Sequence, residues 1–227
     1  PLAADLDENG ETEILMRYTD GIKVISSDGT ILGSPLICSP DVFAVGDMDE
    51  EESGLELCFA HAEILYLYYW DSVEEEFVDI TYKDFNYLGF WSGISLVCSD
   101  LTGDSTEDVA YSIGGFGGGA REPAPRILIV YDWESDTAPY TMKWAEEPYT
   151  AYLAAGELAG TKMVGYSFGS YADDEADIPA LLVEPDGVTK EFPCEEEGIA
   201  DAGNLRCGVF ADWNPFVSGA DAFVLPS

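Results

Sequence analysis

Basic residues are scarce in this chain. Nine Lys plus Arg stand against 45 Asp plus Glu, with one histidine, for a formal net charge of −36. A surface of that sign repels nucleic acid and anionic membranes and attracts cations. The single His61, in Ala60-His61-Ala62, has no cysteines near it at ligand spacing, so a zinc site of the usual kind is not built here. It reads instead as a strand-end residue. Gly-x-Ser-x-Gly does not occur, and Ser167 in Tyr166-Ser167-Phe168-Gly169 lacks the elbow context of a nucleophile. Paired carboxylates are so plentiful that a pair carries no information about glycoside hydrolysis. Apolar runs stay well short of the ~18 residues of a membrane span, and no leader is present. The chain opens on Pro1 rather than Met, so it reads as a processed or excised piece, and secretion stays open. Helical periodicity is nearly missing; apolar stretches alternate or run briefly between Gly, Pro and Asp.

What is there is enough to fold. Apolar residues make up 47% of the chain and aromatics 13%, so a core can form despite the charge. The acids have three readings: cation sites, a general acidic surface suited to high salt or a cell surface, and a patch for a basic partner. The last needs clustering, and Glu50–Glu52, Glu74–Glu76 and Glu195–Glu197 are short runs. Of five cysteines, Cys194 and Cys207 flank a loop-like stretch and are the candidate disulfide, while Cys38, Cys58 and Cys98 sit in strand-like contexts as buried thiols.

The acids are not scattered at random. Asp5-Leu6-Asp7-Glu8-Asn9-Gly10-Glu11-Thr12-Glu13 places side-chain oxygens at positions 1, 3, 5 and 9, and an apolar run follows. A hard cation such as Ca²⁺ takes ~6–8 oxygen ligands, and alternate residues of a tight loop can point inward together. An EF-hand opens the same way but supplies a Glu at position 12 from a helix; here that residue is Met16, in a strand-like run. The loop recurs from Asp47 to Glu56, from Asp100 to Asp108 and from Asp212 to Asp221. A worn and shortened copy, Glu157-Leu158-Ala159-Gly160, has lost its ligands, with Lys162 now in the region. Repetition at this spacing signals a solenoid, propeller or array.

Each loop separates two short apolar runs, and two more usually follow. The third-to-fourth-run turns carry a second landmark in phase: Asp28-Gly29, Trp70-Asp71-Ser72, Trp133-Glu134-Ser135 and Asp186-Gly187. Four-stranded units of this size are the blades of a β-propeller. We therefore expect an all-β propeller of four-stranded antiparallel blades in one domain, with repeats at about 1–40, 41–92, 93–150, 151–206 and 207–227, the last incomplete.

The loops resemble the calcium-binding FG-GAP repeat of integrin α-subunit propellers and the related VCBS-type repeats, whose pattern is Asp-x-Asp-x-Asp/Asn-Gly-x-x-Asp before an apolar strand. The match is graded. The first loop fits with Glu13 for the last Asp; the third has Thr102 at position 3 and Ser105 where Gly is usual; the second and fifth carry an extra residue. The resemblance implies calcium held by Asp5, Asp7, Asn9 and Glu13 with the Glu11 carbonyl. In the third loop it implies Asp100, Thr102, Asp104 and Asp108 with the Thr106 carbonyl. Asp47, Asp49, Glu51 and Glu56, and Asp212, Asn214 and Asp221, are the candidates in the longer loops. Solvated Asp/Gly turns without metal are the plainer alternative.

In such propellers ligands bind the face opposite the metal loops. Here that face would carry Tyr87, Trp91, Phe116, Arg121 and Tyr171, and exposed rings beside carboxylates suit a sugar. The plainer alternative is that Phe85, Tyr87, Phe90 and Trp91 close a blade interface as core. The Gly-rich stretch 114–122 lacks the Gly-Lys-Ser/Thr ending and following helix of a phosphate cradle and reads as a flexible loop. The expected function is a non-enzymatic, extracellular, calcium-stabilised adhesion or recognition module with a protein or glycan ligand. The alternative is a structural subunit assembling through the open edge of the last unit; a carbohydrate-active enzyme stands third.

Overall fold

The computed structural model describes residues 1–19, 21–50, 54–85, 91–115, 126–144, 150–158, 161–169, 180–183, 189–192, 209–211 and 222–224, and all regular structure among them is β. No helix is long and apolar enough to cross a membrane among these residues. The first unit is β1 (Leu2–Ala4), β2 (Glu13–Tyr18), β3 (Gly21–Ile25) and β4 (Ile31–Leu36). The second is β5 (Val42–Gly46), β6 (Glu56–His61), β7 (Ile64–Asp71) and β8 (Glu76–Asp84). The third is β9 (Trp91–Ser99), β10 (Asp108–Gly115), β11 (Arg126–Asp132) and β12 (Thr137–Trp144). The fourth is β13 (Thr150–Leu158), β14 (Thr161–Gly169), β15 (Ala180–Val183) and β16 (Thr189–Phe192), and β17 (Val209–Ala211) and β18 (Ala222–Val224) form a fifth, two-stranded pair. Within each sheet the strands lie side by side in chain order and run antiparallel.

Turn chemistry explains the hairpins. Asp28 accepts the Ser26 hydroxyl and the Thr30 amide on one oxygen, and Gly29 at φ +89° reverses the chain. Asp71 accepts the amides of Val73 and Glu74, and Asp132 accepts that of Ser135. The Trp-x-Ser landmarks therefore mark the same turn without matching residue for residue: Trp70 lies inside β7, whereas Trp133 lies within its turn.

Alternation along the strands shows how the sheets pack. In β6, Leu57 and Phe59 join a cluster with Leu6, Leu15, Ile22 and Val24 of the first unit. Cys58 and Ala60 join another with Val109, Tyr111, Ile127 and Ile129 of the third. The second sheet is therefore covered on both faces, and β6 is buried from Glu56 through Ala60. Burying side chains of this size contributes roughly 1.5–3 kcal/mol each. Among the described residues the first sheet is covered on one face only: Ile14 stays 38% exposed and Ile31 53%, while their neighbours Leu15 and Val24 are buried. First strands of successive units also touch, β1 on β5, β5 on β9, β9 on β13 and β13 on β17.

Phe85 belongs to this core. It packs edge-on to Tyr131 with ring centroids 5.5 Å apart, as the interface reading of that aromatic stretch expected. His61 ends β6 and is exposed.

Candidate metal centre

The connection between the first and second strand of a unit is where the acids collect. In the first unit Asp5, Asp7 and Glu13 each bring a carboxylate oxygen within 4.8 Å of the others. The loop is folded by its own acids: Asp5 accepts the Asn9 and Gly10 amides at 3.0 and 2.9 Å, and Asn9 Oδ1 accepts the Glu11 amide at 2.7 Å. Asn9 and Glu11 are exposed on the rim.

The last acid of each loop does the same job three times. Glu13 Oε2 accepts the Leu6 amide at 3.0 Å. Glu56 Oε2 accepts the Met48 and Asp49 amides at 2.7 and 3.2 Å. Asp108 Oδ2 accepts the Leu101 and Thr102 amides at 2.6 and 2.7 Å. Leu6, Met48 and Leu101 are themselves buried, which plugs the base of each loop into the core. All three acids are buried too, a costly place for a charge unless it is paired.

Glu56 shows the cost. It is fully buried, and its Oε1 has no hydrogen-bond partner among the described residues. Burial, with the charges of Asp47 and Asp49 adding to it, pushes its pKa up to about 7 against the pull of the two amide bonds. Burial likewise raises Asp108 to about 6. A divalent cation would supply the missing partner, but among the described residues only Asp5, Asp7 and Glu13 bring their ligand oxygens within 4.8 Å of one another; the acids of the second and third loops do not. Glu51 and the fifth-loop candidates Asp212, Asn214 and Asp221 lie outside the described residues.

The third loop copies the first with its glycine moved. Positions 4 and 6 both have positive φ in each: Glu8 at +55° and Gly10 at +88°, Gly103 at +84° and Ser105 at +91°. The same backbone path is thus taken with the permissive residue at position 6 in one and position 4 in the other. Asp104 accepts both the amide and the hydroxyl of Thr106, which lowers its pKa, and Asp100 accepts the Gly103 amide at 2.6 Å. In the fourth unit β13 and β14 stay in register to Leu158↔Thr161, so no such loop separates them.

Two structural features near the candidate sites escaped sequence reasoning. Glu107 reaches back to the second loop, its Oε2 accepting the Asp47 amide at 3.1 Å and its own amide donating to the Asp47 carbonyl at 2.6 Å. Nothing in the pattern marked it, because it falls on the unassigned position before the closing acid. At the far ends of the strands a cleft of about 470 Å³ is lined by Arg17, Tyr18, Thr19, Cys38, Ser39 and Pro40. Burial pushes the Cys38 thiol up to about 11. Of the residues expected to bind ligand, Tyr87, Phe116, Arg121 and Tyr171 lie outside the described residues, and Trp91 opens β9. Cys194 and Cys207 also lie outside them. No family model matches the chain, and no curated protein matches it.

Proposed function

We propose that this chain is a calcium-binding β-propeller of the FG-GAP/VCBS type, a non-enzymatic extracellular module for adhesion or recognition. The observation that carries the reading is the buried closing acid repeated in three successive loops, with an unpartnered oxygen on Glu56. Calcium is held by Asp5, Asp7, Asn9 and Glu13, by Asp47, Asp49 and Glu56, and by Asp100, Thr102, Asp104 and Asp108. Its role is to neutralise buried carboxylates and fix the loops between first and second strands. Consecutive contacts of first strands, and sheets that mate front to back, support a radial arrangement of the blades. A protein or glycan ligand binds the opposite end of the strands, where the Arg17–Pro40 cleft opens. Calcium titration by calorimetry tests the reading: several sites are expected, and a melting temperature unchanged by excess chelator would refute it.

A second reading, a subunit of a cell-surface assembly, is favoured by the face of the first sheet left uncovered among the described residues, where Ile14, Tyr18 and Ile31 stand exposed. A plain monomer by sedimentation in calcium argues against it.

A further inference from the structure

We infer that the cleft between Arg17 and Pro40 binds the carboxylate of an acidic sugar, a uronic acid unit of a glycan. The inference deepens the recognition reading above and rests on a ligand meeting the chain at this end of the strands. Two segments make the cleft: the end of β2 with the residue after it, Arg17 to Thr19, and the link from β4 to β5, Cys38 to Pro40. They are held together at two points. Gly21 lies so close to the end of β4 that a Cβ there would stand 1.8 Å from the Leu36 carbonyl oxygen and 3.2 Å from the Cys38 amide nitrogen. Beside it, Arg17 Nη1 donates to the Asp41 carbonyl at 2.9 Å. The walls are therefore set before a ligand arrives, which lowers the cost of ordering them on binding.

Charge selects the ligand. In a chain of net charge −36, Arg17 and Lys23 are the only basic residues before Lys83. Both stand at this cleft: Arg17 lines it, and the Lys23 ammonium lies 4.3 Å from the ring centroid of Tyr18, which also lines it. A guanidinium presents a fork of several N–H donors, so the bond from Nη1 to Asp41 leaves others for a carboxylate. Among the described residues no acid lines the cleft. The nearby Asp41 carboxylate accepts the Ala62 amide at 2.8 Å. Burial holds the Cys38 thiol at about 11, against the pull of a backbone bond at Ile22 and of the Arg17 charge, so it stays neutral and does not repel an anion. The rest of the lining favours a sugar over a peptide terminus: Thr19 and Ser39 offer hydroxyls, and the half-exposed Tyr18 offers a ring for a pyranose face. At about 470 Å³ the cleft is at the small end of the ~300–1,000 Å³ of ligand sites, room for a short stretch of glycan.

The test is titration of sodium D-glucuronate into the isotope-labelled full chain at fixed calcium concentration, followed through backbone amide shifts by NMR. Saturable shifts are expected at Arg17 to Thr19 and at Cys38 and Ser39, with D-glucose giving none at equal concentration. Arg17→Gln removes the charge and is expected to bind glucuronate about tenfold more weakly. Lys23→Gln leaves the bond from Arg17 to Asp41 in place and is expected to weaken binding by a smaller factor. Glucose shifts equal to those of glucuronate, shifts confined to other residues, or undiminished affinity in both variants overturn the inference. Glycylglycine saturating the same amides as tightly as glucuronate also overturns it, in favour of a peptide terminus. Calcium calorimetry reads the other question separately. A chain that binds calcium but no glucuronate loses this inference alone, whereas saturable shifts at the cleft in a chain that takes up no calcium leave it standing while the metal reading falls.

Discussion

Glu13 reaches seven residues back along the chain to accept the Leu6 amide at 3.0 Å, in a buried setting. One oxygen of the acid is thereby spent on the loop's own backbone. Glu13→Ala leaves a buried amide unpaired and should destabilise the chain by about 1–3 kcal/mol, read from chemical denaturation without calcium. Glu13→Gln keeps the acceptor and should cost far less without calcium, yet lose much of the stabilisation that calcium adds. Equal losses for both variants in chelator would show that the backbone bond is not what Glu13 supplies.

Calcium itself should raise the melting temperature, because a ligand held only by the folded chain stabilises it by mass action. At 100 times the dissociation constant each site adds about 2.7 kcal/mol. Magnesium, which is smaller and dehydrates reluctantly, should do markedly less at equal concentration.

The pH dependence of the calcium-free protein follows from Glu56. Its folded pKa of about 7 stands above the ordinary 4.5. Between those values the folded chain holds a proton that the unfolded chain has released, so stability should fall as pH rises through the window and level off above it. Asp108, raised from 3.8 to about 6, acts in the same direction over a lower range. The general relief of negative charge in acid also contributes, so the discriminating measurement is Glu56→Gln, which should flatten the slope between pH 5 and 7. An unchanged slope assigns the effect to the surface as a whole.

Ser105 occupies a left-handed conformation at φ +91° that Gly10 occupies in the first loop. Ser105→Gly should stabilise by ~1 kcal/mol, the relief of Cβ strain exceeding the entropy that glycine adds to the unfolded chain. A lower denaturation midpoint in the variant would show that the Ser105 side chain makes good the strain.

Ile14 stands 38% exposed on the face of the first sheet left bare among the described residues, and radial closure of the blades would require another unit to cover that face. Ile14→Asp then buries a charge and should cost several kcal/mol. A variant as stable as the wild type leaves that face in water and removes the closure.

Much of this fold was legible because acids, glycines and apolar runs recur in phase. Every strand placed by those runs is present, and the Asp28-Gly29 turn lies where its chemistry put it. Strand ends were less readable. β8 continues through Lys83 and Asp84, beyond the last apolar residue of the run, because backbone pairing to Ile64 and Leu65 does not depend on side-chain polarity. The candidate ligands of the first loop were legible for the same reason as the strands: Asp5, Asp7 and Glu13 converge as their spacing suggested. Glu107 was not, since its partner lies sixty residues away in another repeat.

The front-to-back mating of the sheets gives the chain a direction in space. Residues one and three places after a closing acid, Leu57 and Phe59 in the second unit and Val109 and Tyr111 in the third, look toward the preceding unit, and Cys58 between the first pair looks onward. A module cut out and regrafted elsewhere in the series would therefore meet neighbours of the complementary kind only if inserted in the same orientation. Duplication of one module extends such a series without any new interface having to evolve.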